Sequence, residues 1–366
     1  MIMWLGLAFA ADPQVVRAEQ QLGMEPDFAQ AIRDGLEQIY LRQYPAARAT
    51  LASTEEAYPD RGMGSVGDAL VWQALMLENF DYKYEKQYWV SAKAVRKDLD
   101  KALRVAGNDA FEHFIYGGMV GIEAIHNARR GKYLGALQLA FEAMDHLEQC
   151  RTLAPEYTDL VLADGMYNYW RSVITNWSSM LPHFEDHKAE GIEQMKVVEA
   201  EGVFLEAAAT LSLAFAHIQE RDKEGAKEDV DRIRASYPDN VINNLLAGSV
   251  YLSLGKYDTA RGMFDEVLED SKSNKRALYW RGITNHKAGR LEDALRDYKA
   301  YLKADYLEPS QRSYTYYRMG RVYQKQKKYK LAEEAYHMSV KIDRFKPAKA
   351  RIDILRRDKR SGKISY

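Results

Sequence analysis

Two stretches of this 366-residue chain repeat each other at an offset of 34 residues: Gly248, Gly255, Ala260 and Phe264 return as Gly282, Gly289, Ala294 and Tyr298. That spacing is the length of one helix–turn–helix unit. Such a unit cannot bury its apolar face alone, so units must stack in a row and leave one curved face open. Small residues at two fixed positions let the paired helices approach closely, and the large residues fill the gaps between units. The period therefore dictates an all-α solenoid more firmly than any single residue could.

The pattern extends in both directions. Counting back from Ala260 lands on Ala226, and Tyr237-Pro238-Asp239-Asn240 then supplies a helix stop, because proline cannot continue a helix. Forward, Gly320, Tyr323, Tyr329, Ala332 and Tyr336 arrive four residues late, after an insert around Tyr306-Leu307-Glu308-Pro309. Gly35, Tyr44, Ala47, Leu51 and Pro59 fit the template once more near the N-terminus. The small pairs are Gly35/Ala47, Ala214/Ala226, Gly248/Ala260, Gly282/Ala294 and Gly320/Ala332. This arrangement resembles the tetratricopeptide repeat (TPR). The resemblance implies a right-handed superhelix of helix–turn–helix units with a concave groove. The expected division is a degenerate helical region over 12–206, regular repeats over 207–345, and a basic capping helix and tail over 346–366.

The middle is less regular but still helical in pattern. Apolar spacing predicts helices over 66–80, 88–105 and 110–153, the last broken at Gly131-Lys132-Tyr133-Leu134-Gly135-Ala136 and stopped by Pro155. Asp164-Gly165-Met166-Tyr167-Asn168-Tyr169-Trp170 opens a further helix that stops near Leu181-Pro182, and Gly191-Ile192-Glu193-Gln194-Met195 follows. No run alternates at period two for long enough to form a sheet. The order of these segments resembles a group of bacterial envelope-associated TPR proteins and, more faintly, the eukaryotic tetratricopeptide-39 and inclusion-body-clearance family. Both resemblances imply a non-catalytic adaptor that binds a protein or peptide.

The first helix of each unit would line the concave face. Repeat numbering projects onto it Ala208, Leu211, Phe215 and Ile218, then Ile242, Leu245, Ser249 and Leu252. Arg276, Tyr279, Ile283 and His286 come next, and finally Tyr314, Tyr317, Arg321 and Gln324. The series runs from apolar to aromatic and basic, which suits a peptide with an apolar stretch and an acidic end, since Tyr and Arg are favoured interface anchors. Some TPR cochaperones clamp a C-terminal carboxylate with Lys and Asn. Leu245, Ser249 and Trp280 stand where that clamp needs polar donors, so tail clamping is not expected.

A net charge of −1 hides an asymmetry. Residues 311–366 hold 17 Lys and Arg against five Asp and Glu, a net +12, which leaves −13 for the rest. The basic end, with Lys325, Lys327, Lys328, Lys330, Lys346, Lys349, Arg356, Arg357, Lys359 and Arg360, reads as a solvated cap or as a surface for an acidic protein. Nucleic acid is not expected, because no reading module is present. The alternative to an adaptor is an assembly protein whose acidic body pairs with the basic end of a second copy.

Met1–Ala11 is apolar and ends in Ala8-Phe9-Ala10, a small-x-small cleavage pattern that suggests export to a periplasm, although no Lys or Arg precedes it. Without that export the chain would be cytoplasmic. No later run approaches the roughly 18 apolar residues of a membrane span. Cys150 is the only cysteine, so no internal disulfide can form.

Signals for catalysis or cofactors are weak. Gly62-Met63-Gly64-Ser65-Val66-Gly67 matches a dinucleotide fingerprint, but the preceding Thr54–Pro59 reads as a helix end rather than a strand, which makes it an inter-repeat loop. His183 and His187 share one helical face if that segment is helical, with Glu185 or Asp186 as a third ligand in a metal-enzyme reading. The zinc-protease order is absent, and surface histidines are the expectation. His113, His126, His146 and His217 read as seam residues. Asn176-Trp177-Ser178 is a formal glycosylation sequon. No catalytic residue, cofactor or metal is assigned.

Overall fold

The computed structural model describes residues 12–105, 109–177, 185–305 and 307–365. Among them lie eighteen helices and no strand. They are α1 (Pro13–Leu22), α2 (Pro26–Tyr40), α3 (Tyr44–Ala57), α4 (Val66–Asn79), α5 (Glu85–Val105), α6 (Ala110–Arg129), α7 (Tyr133–Leu153), α8 (Leu160–Trp177) and α9 (Lys188–Glu201). The series continues with α10 (Glu206–Glu220), α11 (Lys223–Ser236), α12 (Val241–Ser253), α13 (Tyr257–Asp270), α14 (Lys275–Lys287), α15 (Leu291–Tyr301), α16 (Pro309–Lys325), α17 (Tyr329–Asp343) and α18 (Lys346–Arg360). The fold is the TPR-like helical solenoid expected from the period. None of the described helices is long and apolar enough to cross a membrane.

The chain forms two compact units. The first holds residues up to Leu75 and Tyr84–Asn240, and the second holds Met76–Lys83 with Val241–Tyr366. Repeat regularity divides the sequence at 206/207, whereas contacts divide it at 240/241, so α10 and α11 belong to the first unit. Met1–Ala11, His183, Tyr306 and Ser178 of the sequon lie outside the described residues.

Local chemistry sets the helix ends. Asp12, Asp109, Asp222 and Asn274 each cap a helix by accepting a hydrogen bond from a first-turn backbone N–H. The turn joining the two helices of a repeat needs a left-handed residue. Gly131, Gly255 and Gly289 supply it at φ 73°, 76° and 83°, while Arg42, Arg221 and Lys327 adopt it at φ 61°, 61° and 60° at the cost of a Cβ clash.

Packing explains the 34-residue period. A Cβ on Gly248 would sit 2.5 Å from the Phe264 ring, one on Gly282 2.7 Å from Tyr298, and one on Gly320 2.5 Å from Tyr336. In the N-terminal repeat the same position, Gly35, meets Leu51 at 2.5 Å. Each glycine thus lets a large side chain of the second helix lie flat on the first, and Phe264, Tyr298 and Tyr336 are fully buried as a result. The α8–α9 hairpin is closer still, because Gly165 and Gly191 face each other's backbone carbonyls. Ala348, Ile352 and Leu355 of α18 cover Ala332 and Tyr336 of α17, which leaves the basic side chains of this last helix outward.

Buried carboxylates hold the first unit's loops, and no motif in the sequence marks them. Asp159 accepts hydrogen bonds from the backbone N–H groups of Val203 and Phe204, both at 2.8 Å, and from the Tyr157 hydroxyl at 3.0 Å. It ties the loop before α8 to the loop before α10. Arg61 bonds to Asp109 and Glu112, each at 3.0 Å, and to Glu25 at the same distance. Burial and the neighbouring Asp109 outweigh Arg61 and push the Glu112 carboxyl up to about 8. Folding then takes up a proton between about pH 4.5, the carboxyl's ordinary value, and about pH 8. Stability from this group is greatest at the acid end and falls as pH rises, by at most ~1.4 kcal/mol per unit. Glu112→Gln should match wild type near pH 5 and exceed it near pH 8 in urea-unfolding midpoints. Parallel profiles for the two proteins would contradict a neutral Glu112.

Candidate partner-binding site

The aromatic and basic end of the projected groove lies on α14 and α16 of the second unit. Asn274 starts α14 by accepting from the Ala277 N–H at 3.0 Å, and its own amide donates to the Glu78 carbonyl at 3.1 Å. Lys275 pairs with Asp81 at 3.7 Å, and the Arg276 guanidinium stands 4.6 Å over the Phe80 ring. These contacts fasten segment 76–83 to the start of α14. Beside them opens a cavity of about 380 Å³, lined by Phe80, Arg276, Tyr279, Trp280, Tyr301, Gln311 and Tyr314.

Arg318 is the central charge of this face. Its guanidinium donates to the Tyr279 hydroxyl at 3.1 Å and the Tyr314 hydroxyl at 3.2 Å, and it lies 4.8 Å from the Tyr314 ring centroid. Among the described residues no carboxylate pairs with it, although it is half-buried. Arg281, on α14, shows the usual alternative: it is bonded to both Asp265 and Asp297. Arg321 and Lys325 extend the positive field along α16. The His286 imidazole reports that field, being pushed down to about 4 by burial and then by Arg321, Lys325 and Arg318. It is neutral at pH 7, and burial also raises the Tyr279 hydroxyl above its ordinary range.

The projected groove residues separate in the structure. Arg276, Tyr279 and Tyr314 share the cavity wall. Tyr317 stacks on Tyr314 and meets Phe345, and Arg321 is exposed beside it. Ile242, Ser249 and His286 are half-buried, and the Ser249 hydroxyl is spent on the Leu246 carbonyl. Leu245 and Ile283 differ from expectation: both are core residues, 2% and 3% exposed, because the helical stripe they occupy packs against the neighbouring hairpins. Leu211 and Phe215 belong to the first unit, half-buried and exposed respectively. Phe80, Trp280, Tyr301, Gln311 and Arg318 were not projected. The first four lie off the repeat's groove positions, and Arg318 is recognisable only from the tyrosines around it.

The first unit holds a larger cavity of about 960 Å³ between α6, α7 and their neighbours. Its wall is almost wholly aliphatic and aromatic, with Phe114, Ile122, Leu137, Phe141, Met144 and Met166 prominent. Among the described residues no side chain fills it.

The remaining sequence signals have ordinary surroundings. Gly62-Met63-Gly64-Ser65 lies in the loop between α3 and α4, and Val66 and Gly67 open α4. His187 precedes α9 and bonds to Glu190 at 2.7 Å. Cys150 is buried, and burial pushes its thiol up to about 12. Among the described residues no group of three His, Cys, Asp or Glu is placed to hold a metal ion.

Comparison with known proteins supports the same fold. Tetratricopeptide-repeat family models match residues 245–309 and 313–345. A comparison with curated proteins finds no match. The human IFIT1 dimer with PPP-AAAA is similar in structure at a TM-score of 0.55 and 14% identity, covering 95% of this chain and 92% of that one. A tetratricopeptide repeat protein from Parabacteroides merdae aligns at 0.43 and 14% over 77% and 98%. MamA from Desulfovibrio magneticus aligns at 0.39 and 16% over 50% and 96%. With residues 245–309 and 313–345 matched and its helix hairpins packed through the repeat's small-residue positions, this chain carries tetratricopeptide repeats in its C-terminal part and has a TPR-like helical fold.

Proposed function

We propose that this protein is a non-catalytic adaptor whose second unit docks a partner protein through the α14–α16 face. The partner presents an extended or helical segment with an aromatic or aliphatic side chain for the cavity and a carboxylate for Arg318. The observation that carries this reading is Arg318, half-buried, bonded to the Tyr279 and Tyr314 hydroxyls and without a carboxylate partner among the described residues. A guanidinium so placed offers free fork geometry to an acidic side chain, in surroundings drier than bulk water. Tyr and Trp around it supply rigid contact area at low entropic cost. An envelope location remains part of the proposal and rests on the Met1–Ala11 run alone. A mature protein beginning at Ala11 would support it.

Affinity capture from the native host tests the docking face. Wild-type protein should enrich a specific partner that a Tyr279→Ala/Tyr314→Ala variant of unchanged helicity does not retain. Equal capture by both proteins would overturn this site.

A further inference from the structure

We propose that the first unit has a binding function of its own: it takes up a long acyl chain of an anionic amphiphile in the cavity bordered by α6 and α7. The volume, about 960 Å³, lies at the upper end of small-ligand sites. Its wall offers contact to hydrocarbon and almost nothing to a polar group. The cavity is also built to stay open. A Cβ on Gly118 or Gly121 of α6 would meet no atom within 4 Å, so two glycines line the space where ordinary side chains would fit.

The mouth is apolar as well. Leu134, Leu137 and Phe141 follow one face of α7 and are 82%, 53% and 63% exposed, with Ile125 of α6 and Tyr167 of α8 beside the rim. An apolar track thus leads from the surface into the interior. Arg129 ends α6, and Arg130, paired with Glu85 at 3.3 Å, and the exposed Lys132 follow in the turn before Tyr133 and Leu134, which leaves a net positive group at one end of that track. Hydrocarbon inside and cations outside match the two halves of a fatty carboxylate or a phospholipid.

A protein segment fits less well. A helix about 10 Å across would fill this volume in roughly eight residues. The free N–H and C=O groups at its ends would then meet an aliphatic wall with no partners, which is costly. An acyl chain has no such groups to satisfy. Its source is either free fatty acid or a membrane lipid, and the two are separable by experiment.

The test uses the full chain and the fluorescent fatty acid cis-parinaric acid. Wild type should show saturable enhancement near one ligand per chain, reversed by palmitate. Gly118→Leu/Gly121→Leu fills the cavity from a helix that gains propensity by the change, so it should keep its fold, melt no lower than wild type, and bind at least tenfold more weakly. Co-sedimentation of wild type but not the variant with phosphatidylglycerol vesicles would support a membrane-lipid source. Binding of parinaric acid without vesicle association would support a free acid. No saturable binding to either probe, equal binding by the variant, or a self-association that the variant alone loses would overturn the proposal.

Discussion

Gly248→Val should cost the second unit about 3 kcal/mol or more in urea unfolding. The new Cβ would have to occupy a point 2.5 Å from the Phe264 ring, which is itself fully buried between repeats. The ring cannot swing away without opening the α12–α13 hairpin and exposing its own surface. Overpacking of this kind costs about 1–3 kcal/mol where the surroundings yield, and more where they do not. Gly262, on the outer side of α13, provides the contrast. A Cβ there meets nothing within 4 Å, so Gly262→Ala should gain about 0.5–1 kcal/mol from backbone entropy alone. If the two substitutions had effects of the same sign, close approach would not be the reason for the repeated glycine.

The second large effect concerns charge on the docking face. Arg318→Glu should weaken partner binding by at least ~30-fold, the low end of the effect of losing one half of a desolvated charge pair. Arg318→Gln, which can still donate to the tyrosine hydroxyls, should lose the charge contribution while keeping the local fold. Arg357→Glu on the outer face of α18 should change binding less than about threefold, because that side chain is 75% exposed and screened by salt. A loss of binding with Arg357→Glu but not Arg318→Glu would move the site to the basic C-terminal surface. Affinities of the three variants for the captured partner, at two salt concentrations, separate these outcomes.

The period was readable because it is written in residues that packing leaves no choice about. Gly248, Gly282 and Gly320 must be small for Phe264, Tyr298 and Tyr336 to lie against them, so the sequence repeats wherever the geometry does. Helices in the middle were readable from apolar spacing for the same reason. The proposed docking face was only partly legible. Repeat numbering projected Arg276, Tyr279 and Tyr314, which share a cavity wall, but also Leu245 and Ile283, which the core claims. Numbering fixes the direction a side chain leaves its helix, not how close the next hairpin comes. Phe80 escaped because it is almost two hundred positions from Arg276 in the chain, and tertiary contacts such as the Asn274 and Lys275 tethers bring its segment to α14. The large cavity escaped because an unfilled volume has no sequence signal: Gly118 and Gly121 look like any other helix glycines until their surroundings are known.

Site-specific photo-crosslinking at Tyr314 tests the central claim most directly. A photoreactive phenylalanine analogue there keeps an aromatic ring on the cavity wall and labels whatever docks against it. The expected product is a single partner joined through a segment that carries Asp or Glu near the crosslinked residue. The same analogue at Tyr133 in the first unit should not yield that product. Crosslinks to the partner from Tyr133 and none from Tyr314, or a crosslinked segment without acidic residues, would contradict docking on the α14–α16 face.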